Sequence, residues 1–297
     1  MTVATVLRST LGYTPRLSKE KLFQPPKIIR DDLISIVVPV KNNQPGIDLF
    51  LNRISRLEPS QRPAEVIIVD NNSMPPLKLL RNDYPLPIRL LRCVTPGPAA
   101  ARNKGLMACS LPWVLFTDSD CIPTQTLVSG YCRDSNSLLA YAGNIAVMEN
   151  DWLSTYYRDQ KTLLPPIAKT VLGQRPDYLV TANCLVSREA ALSIGGFDEH
   201  FNLAGGEDID LALRLLEIGE IGFCLNSVAK HRFNDGYWGF VRRFRRYGIG
   251  NRRLADKFGL ELKPRPFVPV SGKPLHWVLA ITQWIVMAWH YHRSANL

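Results

Sequence analysis

Two carboxylates stand at the end of a short apolar run near the middle of the sequence. Val114–Thr117 is predicted to be a buried strand, and Asp118 and Asp120 follow it two residues apart. Carboxylates beside a strand end suit a hard divalent cation, Mg²⁺ or Mn²⁺, which prefers oxygen ligands and keeps sites open for phosphate oxygens. An Asp-x-Asp tripeptide is also common as a solvated turn. Its meaning therefore depends on the residues around it.

Other segments carry polar residues of types that could complete such a site. Arg102 follows small residues that open a helix, so its guanidinium could bind phosphate or pair with a carboxylate. Glu207 and Asp208 precede a predicted helix, where a first-turn carboxylate is favoured by the helix dipole whether or not it has a catalytic role. His231 could be a metal ligand or a hydrogen-bonded histidine among basic residues.

The elements predicted to position these residues alternate between strands and helices. Leu33–Val40 is a β-branched run typical of a strand buried on both faces, Ile47–Leu57 has helical spacing, and Ala64–Val69 is the next strand. This β-α-β order predicts a parallel sheet with right-handed crossovers. Ligands of such sheets lie across the carboxyl ends of the strands. One crevice should therefore contain Lys41–Asn43, Asp70, Arg102 and Asp118–Asp120.

The second half of the chain has weaker periodicity. Leu138–Met148 reads as two short strands or as one strand with a bulge at Gly143. The remaining predicted elements are a third parallel-type strand at Ile88–Cys93, a helix at Tyr156–Leu172 broken by Pro165-Pro166, a strand at Asp177–Val186, helices at Arg188–Ile194 and Ile209–Ile218, and a strand at Ile221–Leu225.

Length and composition indicate a large folded domain. The chain has 297 residues, of which 46% are hydrophobic, so the bulk of it can bury a core and disorder is excluded. Six scattered cysteines without a C-x-x-C pair argue against a disulfide framework or a zinc site. Met1–Leu11 lacks a sustained apolar run, so we expect no secretory signal and a cytoplasmic location.

The last quarter of the chain carries the whole net charge of +10. Ser227–Leu297 contains 13 basic and 3 acidic residues, which points to an anionic partner. The apolar run Trp277–Trp289 is too short to span a bilayer, which takes about 20 residues. Its tryptophans and the preceding arginines predict peripheral docking at the inner, anionic face of a membrane. Packing on its own domain or a homodimer contact is the alternative.

Six segments in order resemble the GT-A glycosyltransferases of family 2, over Leu33 to Gly250. They are Ile36–Val40, Ile68–Ser73, Gly97–Gly105, Phe116–Asp120, Gly195–Glu199 and Gly206–Leu211. The resemblance implies an α/β GT-A fold: a Rossmann-like, mostly parallel sheet flanked by helices, with a smaller acceptor-side subregion and a C-terminal helical tail. We accordingly divide the chain into an extension (1–32), a glycosyltransferase domain (33–250) and a basic, aromatic tail (251–297).

The resemblance also implies roles for individual residues. Asp70 would bind the nucleotide base, Asp118 the ribose or the metal, and Asp120 the cation, Mn²⁺ or Mg²⁺, with His231 as a further ligand. Donor contacts would also come from Pro39, Val40, Asn42, Ser119 and the phosphate-binding Arg102. Asp208 would be the general base, with Glu207 as its rival. Asn71 departs from the family pattern, which often has a second aspartate there, and this weakens the assignment of the base or ribose contact.

The function implied is transfer of a sugar from a nucleoside diphosphate sugar, a UDP-sugar in our prediction, to a hydroxyl of a saccharide, lipid-linked or small-molecule acceptor. Inversion through a single base is the leading mechanism and a retaining transferase the runner-up. A non-catalytic nucleotide or anion binder is the alternative from another class, but carboxylates in the cleft disfavour it, and we expect no nucleic acid partner. No G-x-G-x-x-G follows the first strand, which argues against a dinucleotide-dependent oxidoreductase.

Overall fold

Helices and strands alternate through the first half of the chain and become less regular in the second. The computed structural model describes residues 23–134, 136–170, 173–233 and 235–294. Their strands are β1 (Ile28–Ile29), β2 (Ile34–Val40), β3 (Glu65–Asp70), β4 (Ile88–Arg92), β5 (Trp113–Thr117), β6 (Cys121–Pro123), β7 (Arg133–Asp134), β8 (Ala140–Val147), β9 (Ile167–Thr170), β10 (Gly173–Pro176), β11 (Asn183–Ser187) and β12 (Ile221–His231). Their α-helices are α1 (Gln44–Ser55), α2 (Pro98–Ala108), α3 (Trp152–Asp159), α4 (Arg188–Ser193), α5 (Glu207–Leu216), α6 (Gly236–Phe258) and α7 (Pro274–Arg293).

One eight-stranded sheet has the order β4-β3-β2-β5-β11-β8-β12-β6. The four strands β4, β3, β2 and β5 are parallel to one another, as the β-α-β pattern predicts. β11 is antiparallel to both β5 and β8, while β8 and β12 are again parallel. The carboxyl ends of β2, β3 and β5 therefore lie side by side, with Val40 opposite Asp70 in the register of β2 and β3.

The sheet buries both of its faces because its central strands are mostly apolar, with a few buried polar residues such as Ser35, Thr117 and Asn183. Val37, Val114 and Phe116 pack on one face against the small residues of α2 and against α4 and α5. Ile36 and Leu115, one residue away along the same strands, pack on the other face against α1. This alternation follows from the two-residue period of a strand, and it explains why the strands read as continuous hydrophobic runs.

A three-residue strand that the sequence did not reveal joins the acidic loop to the end of β12. β6 pairs antiparallel with β12, and Cys121 lies opposite His231. The backbone N–H of Arg232 also donates to the carbonyl of Asp120, at 3.1 Å. This register is what places His231 beside the acidic loop.

The predicted helix at Tyr156–Leu172 is wrong in position. α3 begins four residues earlier, because Asp151 accepts hydrogen bonds from the N–H groups of Leu153 and Ser154 and so caps its N-terminus. The chain leaves the helix near Lys161, which has a φ of 50°. The segment beyond Pro165-Pro166 pairs as the antiparallel strands β9 and β10, and the predicted residues 171 and 172 lie outside the described part of the chain.

Along the second half one predicted alternative is confirmed and two predictions are corrected. β8 is a single strand whose register is irregular at Gly143, as one alternative predicts, although the extra residues lie in its partner β12, between Cys224 and Val228. The strand predicted at Asp177–Val186 forms only at β11, so residues 177–182 are irregular. β12 extends beyond the predicted end at Leu225.

The two long C-terminal helices pack on each other and on α3 through an aromatic cluster. Tyr156, Phe240, Phe244, Leu279 and Met287 belong to it. α6 continues across residue 250, where we divide the chain, and that division stays a prediction. Within the described residues, no helix combines the length and apolar character that crossing a membrane requires.

Candidate active site

A cavity of about 830 Å³ lies over the carboxyl ends of β2 and β5, a typical volume for a small-molecule site. The strand-end side is lined by Pro39, Val40, Lys41, Asn43, Asn71, Arg102, Asp118, Ser119, Asp120 and His231. The opposite side is lined by residues 160–164, 178, 180–182 and 202–209 and by side chains of α6 and α7. The predicted crevice therefore exists, and it contains both pairs of carboxylates that the sequence singles out.

The acidic loop after β5 is held by the turn that follows β2. The side-chain amide of Asn43 donates to the backbone carbonyl and to the hydroxyl of Ser119, at 3.2 and 3.0 Å. Asn43 also caps α1 by accepting from the N–H of Gly46. A Cβ atom at Gly46 would lie 2.3 Å from the Ser119 carbonyl oxygen, so a glycine is required for this close approach.

Asp120 and His231 face each other across the β6–β12 register. Their closest side-chain atoms, Oδ2 and Nε2, are 3.4 Å apart, and Asp120 is open to the cavity while His231 is buried. Burial lowers the pKa of His231 although Asp120 raises it, so the imidazole is neutral near pH 7 and has a lone pair for a metal. Its buried Nδ1 has no hydrogen-bond partner among the described residues.

These donor groups fit a divalent cation. Asp120, Cys121 and His231 are the residues of the described chain whose ligand atoms cluster within 4.8 Å. A carboxylate and a neutral imidazole suit Mn²⁺, and the oxygen ligand also suits Mg²⁺. Burial, and then the carboxylates of Asp120 and Asp118, raise the pKa of Cys121 well above its usual value, so this thiol is a poor ligand for either ion. Asp118, predicted as a ligand, lies outside the cluster.

Asp118 is instead tied to the other carboxylate pair through Arg102. The guanidinium donates to Asp118 Oδ1 and to Glu207 Oε1, both at 2.8 Å. Arg102 and Glu207 are buried, with side chains 3% and 4% exposed. Burial alone would lower the pKa of Arg102, but these two carboxylates raise it above its ordinary value. Both terminal nitrogens of Arg102 are thus engaged, which favours a positioning role over the predicted phosphate contact.

Glu207 and Asp208 differ in what their oxygens contact. Glu207 also accepts from the backbone N–H of Gly205, at 2.6 Å, so both of its oxygens are occupied. Asp208 accepts from its neighbour Ile209 N–H at 2.9 Å and, at 3.5 Å, from Thr181 N–H, and it lines the cavity. Burial, and then the Glu207 charge, raise the pKa of Asp208 to about 7. Asp208 is therefore the carboxylate that can exchange a proton near neutral pH.

Two residues predicted to contact the donor, Asp70 and Asn42, lie beside the cavity, and their donor contacts stay predictions. Asp70 is buried in its own loop and accepts hydrogen bonds from the N–H groups of Ser73 and Leu77. Burial alone would raise the pKa of Asp70, but its hydrogen bonds lower it below the ordinary value. Asn42 accepts from the Met74 N–H. Neither side chain lines the cavity, because both hold the turn beside it. The predicted Pro39, Val40, Arg102, Asp118 and Ser119 do line it, and their roles stay predictions.

Sequence analysis missed most of the wall opposite the strand ends. Tyr178 lies in the irregular segment before β11, and Arg243, Arg246 and Tyr247 come from α6. A signal for Arg243 was present, because position 243 falls beside Phe240 on a helix, whereas positions 242, 245 and 246 fall away from Phe240 and Phe244. The wall segment around Tyr178 had no such period.

Similar proteins of known sequence are glycosyltransferases. The chain is 30% identical over 257 residues to the pre-mycofactocin glycosyltransferase of Mycobacterium tuberculosis, and this match covers 83% of the chain and 52% of that protein. It is 23% identical to the chondroitin synthase of Pasteurella multocida, over 63% of the chain and 23% of that protein. The chain thus spans about half the length, or less, of these two relatives.

Solved structures with the same fold include the mannosyltransferase PcManGT from Pyrobaculum calidifontis, in complex with GDP-Man and Mn²⁺. Its TM-score is 0.52 at 17% identity, covering 91% of this chain and 76% of that one. GalNAc-T7 with UDP, GalNAc and Mn²⁺ also has a TM-score of 0.52, at 13% identity, covering 92% of this chain and 58% of that one. These similarities confirm the predicted GT-A fold.

Two family models match the chain and overlap at the acidic loop. Glycosyl transferase family 2 matches residues 35–166, from β2 through the acidic loop. Glycosyl transferase family group 2 matches residues 113–293, from β5 through the Glu207-Asp208 helix to the end of α7. Because the second match spans more than half of the sequence and both contain Asp118 and Asp120, this chain belongs to glycosyltransferase family 2.

Proposed function

We propose that the protein transfers a sugar from a nucleoside diphosphate sugar to an acceptor hydroxyl. The observation that carries this proposal is the shared cavity, which has an Asp120–His231 pair suited to a cation on one side and a carboxylate of raised pKa, Asp208, on the other. The family membership and the glycosyltransferase relatives support it. A non-catalytic nucleotide binder would have no use for a proton-accepting carboxylate in its cleft.

Asp208 is the proposed general base. Its carboxylate takes the proton of the acceptor hydroxyl as that oxygen forms a bond to the anomeric carbon of the sugar and the bond from this carbon to the diphosphate oxygen breaks. A pKa of about 7 matches this task, because such a base is largely ionised at neutral pH and still accepts a proton readily. One base and direct displacement give inversion at the anomeric carbon.

Asp120 and His231 would hold the cation, and Asp118, which is 30% exposed at the cavity edge, faces the same space. A bound Mn²⁺ or Mg²⁺ would supply positive charge to the leaving diphosphate. Arg102 fixes Asp118 and Glu207 and thereby sets the distance between the cation side and the base side. UDP-sugars remain our proposed donors, and the mannosyltransferase neighbour crystallised with GDP-Man makes GDP-sugars the competing class.

Release of nucleoside diphosphate tests this function. Purified protein with Mn²⁺ is incubated with UDP- and GDP-sugars, with and without a panel of saccharide and small-molecule alcohols, and the anomeric configuration of any product is read by NMR. Transfer with inversion is expected. Retention of the anomeric configuration would instead support a retaining transferase. Nucleotide binding without turnover of any donor would support the non-catalytic alternative.

We also propose that α7 docks the protein on an anionic membrane, which would bring the cavity near a lipid-linked acceptor. Leu279 and Met287 pack against the aromatic cluster, while Val278, Ile281, Ile285 and Trp289, spaced three or four residues apart, are each more than half exposed. Basic groups lie beside this exposed apolar stripe. Burial lowers the pKa of His290, the neighbour of Trp289, and Arg245 and Arg293 are close enough for their charges to lower it further. Apolar insertion beside basic residues suits an anionic lipid surface. A homodimer contact is the competing occupant.

A further inference from the structure

Two arginines of α6, Arg243 and Arg246, line the cavity. Arg243 is only 8% exposed, and both it and Arg246 line the cavity. Arg242 and Arg245, on the same helix, are exposed to solvent and do not line the cavity. The helix therefore separates two inward from two outward guanidinium groups.

Among the described residues, one carboxylate serves the inward pair of arginines. The nearest carboxylate to Arg243 is that of Asp235, at 3.5 Å, and Arg246 forms no ion pair within the described residues. The Nε atoms of both arginines are buried and have no hydrogen-bond partner there. Buried cations and buried donors are costly unless an anion or acceptor reaches them. The α6 wall of the cavity is therefore suited to a negatively charged ligand.

Packing of aromatic rings places Arg243 close to the proposed cation site. The imidazole of His231 stacks on the ring of Phe233, with ring centroids 4.3 Å apart. The guanidinium carbon of Arg243 lies 5.0 Å from the centroid of the same ring. The ring of Phe233 therefore contacts both His231 and Arg243. Arg243 lies where the cation side of the cavity meets the wall formed by α6.

Stacking alone does not explain this arrangement. Cation–π contacts of Arg243 with Tyr157 and Phe233 stabilise its position. These contacts use the faces of the rings, so the Nε donor of Arg243 stays without an acceptor. The Nε donor of Arg246 also lacks one among the described residues. Guanidinium groups match the geometry of phosphate oxygens, which accept several N–H bonds in one plane. A phosphate group at this wall of the cavity would offer acceptors to these donors.

We propose that Arg243 and Arg246 form a phosphate-binding subsite of the cavity, separate from the Asp120–His231 pair. Its ligand is a phosphate group, either the diphosphate of the donor or a phosphate carried by the acceptor. This inference rests on the proposed function for its biological meaning, but the subsite can be tested by binding alone.

The test compares Arg243→Gln, Arg246→Gln and the double variant with the matched control Arg242→Gln/Arg245→Gln, which removes the same charge from the outer side of the same helix. Affinities for UDP and GDP with Mn²⁺ are measured by isothermal titration calorimetry. Inorganic phosphate is then titrated into protein saturated with the better nucleotide. Loss of charge-assisted contacts should weaken one of these bindings by about 10- to 100-fold. The control should bind like the unmodified protein.

The outcomes assign the source of the phosphate. Weaker nucleoside diphosphate binding identifies the donor, with unchanged binding of the free nucleosides as the specificity check. Weaker phosphate binding alone identifies a phosphate-bearing acceptor. Equal affinities in the inward variants and the control would overturn the subsite. A protein that binds neither UDP nor GDP would contradict the proposed function instead, and phosphate titration of the nucleotide-free protein would then test the subsite.

Loss of stacking could impair folding of the Arg243 variant. Arg246→Gln disturbs no ion pair within the described residues, and Arg243→Lys keeps the charge while losing the planar fork. If the folded Arg246→Gln variant, checked by its melting temperature, binds both probes as the control does, the inference fails without any use of Arg243→Gln.

Discussion

Replacing Asp208 with asparagine should remove activity and at the same time stabilise the folded protein at high pH. Asparagine has nearly the same shape, but it cannot take a proton from the acceptor. A positioned general base contributes about 10²- to 10⁴-fold to the rate, so turnover should fall by that factor while the donor still binds. In the unmodified protein, kcat should rise with pH through the raised pKa of about 7, because only the ionised carboxylate is a base.

The stability effect follows from the same raised pKa. The ordinary pKa of an aspartate side chain is 3.8, and burial, with the Glu207 charge, raises the pKa of Asp208 to about 7 in the folded state. Between these values the folded state binds more protons than the unfolded state, so this group makes the protein less stable as the pH rises. The full penalty, a few kcal/mol at about 1.4 kcal/mol per unit, is present above pH 7. Asp208→Asn removes it, and the gain should disappear as the pH falls toward 4.

Melting temperatures of both proteins at pH 5, 6, 7 and 8, with donor turnover at each pH, measure the two effects together. Glu207→Gln is the control, since it disrupts the contacts with Arg102 and Gly205 and should destabilise the protein at every pH. A melting-temperature difference for Asp208→Asn that does not grow with pH would refute the burial argument. Near-normal turnover in that variant, with a dead Glu207→Gln, would exchange the two roles.

The ion pairs and the exposed helix support three further predictions. Asp120→Ala should abolish cation-dependent donor turnover, and full turnover in excess chelator would show that no cation is needed. Arg102→Met should destabilise the protein by about 3–5 kcal/mol, because it leaves a buried Glu207 without its partner; a denaturant midpoint like that of the unmodified protein would contradict this pairing. Ile281→Asp/Ile285→Asp should abolish salt-sensitive flotation with phosphatidylglycerol vesicles, whereas Val94→Asp, on another exposed surface, should not; loss of a dimer in light scattering would instead support the homodimer contact.

The first half of the fold could be predicted because its signals are local. The β-branched runs that became β2 and β3 are buried on both faces, so most residues in them are apolar and the pattern is clear; Ser35 and Glu65 are buried polar exceptions that pair with each other. The positions of Asp118 and Asp120 at a strand end, and of Glu207 and Asp208 at a helix start, follow from the same kind of pattern. The rule that strand ends meet at one edge of a sheet places Asp118 and Asp120 in the cavity, but it does not predict that Glu207 and Asp208, at a helix start, line the same cavity.

The remaining features depend on long-range pairing, which has no period in the sequence. β6 is only three residues long, yet its register with β12 sets the distance between Asp120 and His231. Asp70 ends a strand beside the cavity, but local N–H groups turn its carboxylate into the adjacent loop. The helical spacing beyond Tyr156 was misleading, because the cap at Asp151 shifts α3 toward the N-terminus and the segment after the two prolines pairs as strands.

The C-terminal helix α7 contributes to the cavity as well as to the proposed docking face. Gln283 and Met287 line the cavity, and Gln283 accepts a hydrogen bond from the hydroxyl of Tyr156 in α3, at 2.8 Å. A Cβ atom at Gly248 of α6 would lie 2.4 Å from the carbonyl oxygen of Met287, so the two helices pack at backbone distance. Removing α7 would therefore uncover the aromatic cluster and open the wall that carries Arg243. We expect truncation before Pro274 to reduce nucleotide binding and stability together, whereas the aspartate substitutions on its exposed stripe should affect neither.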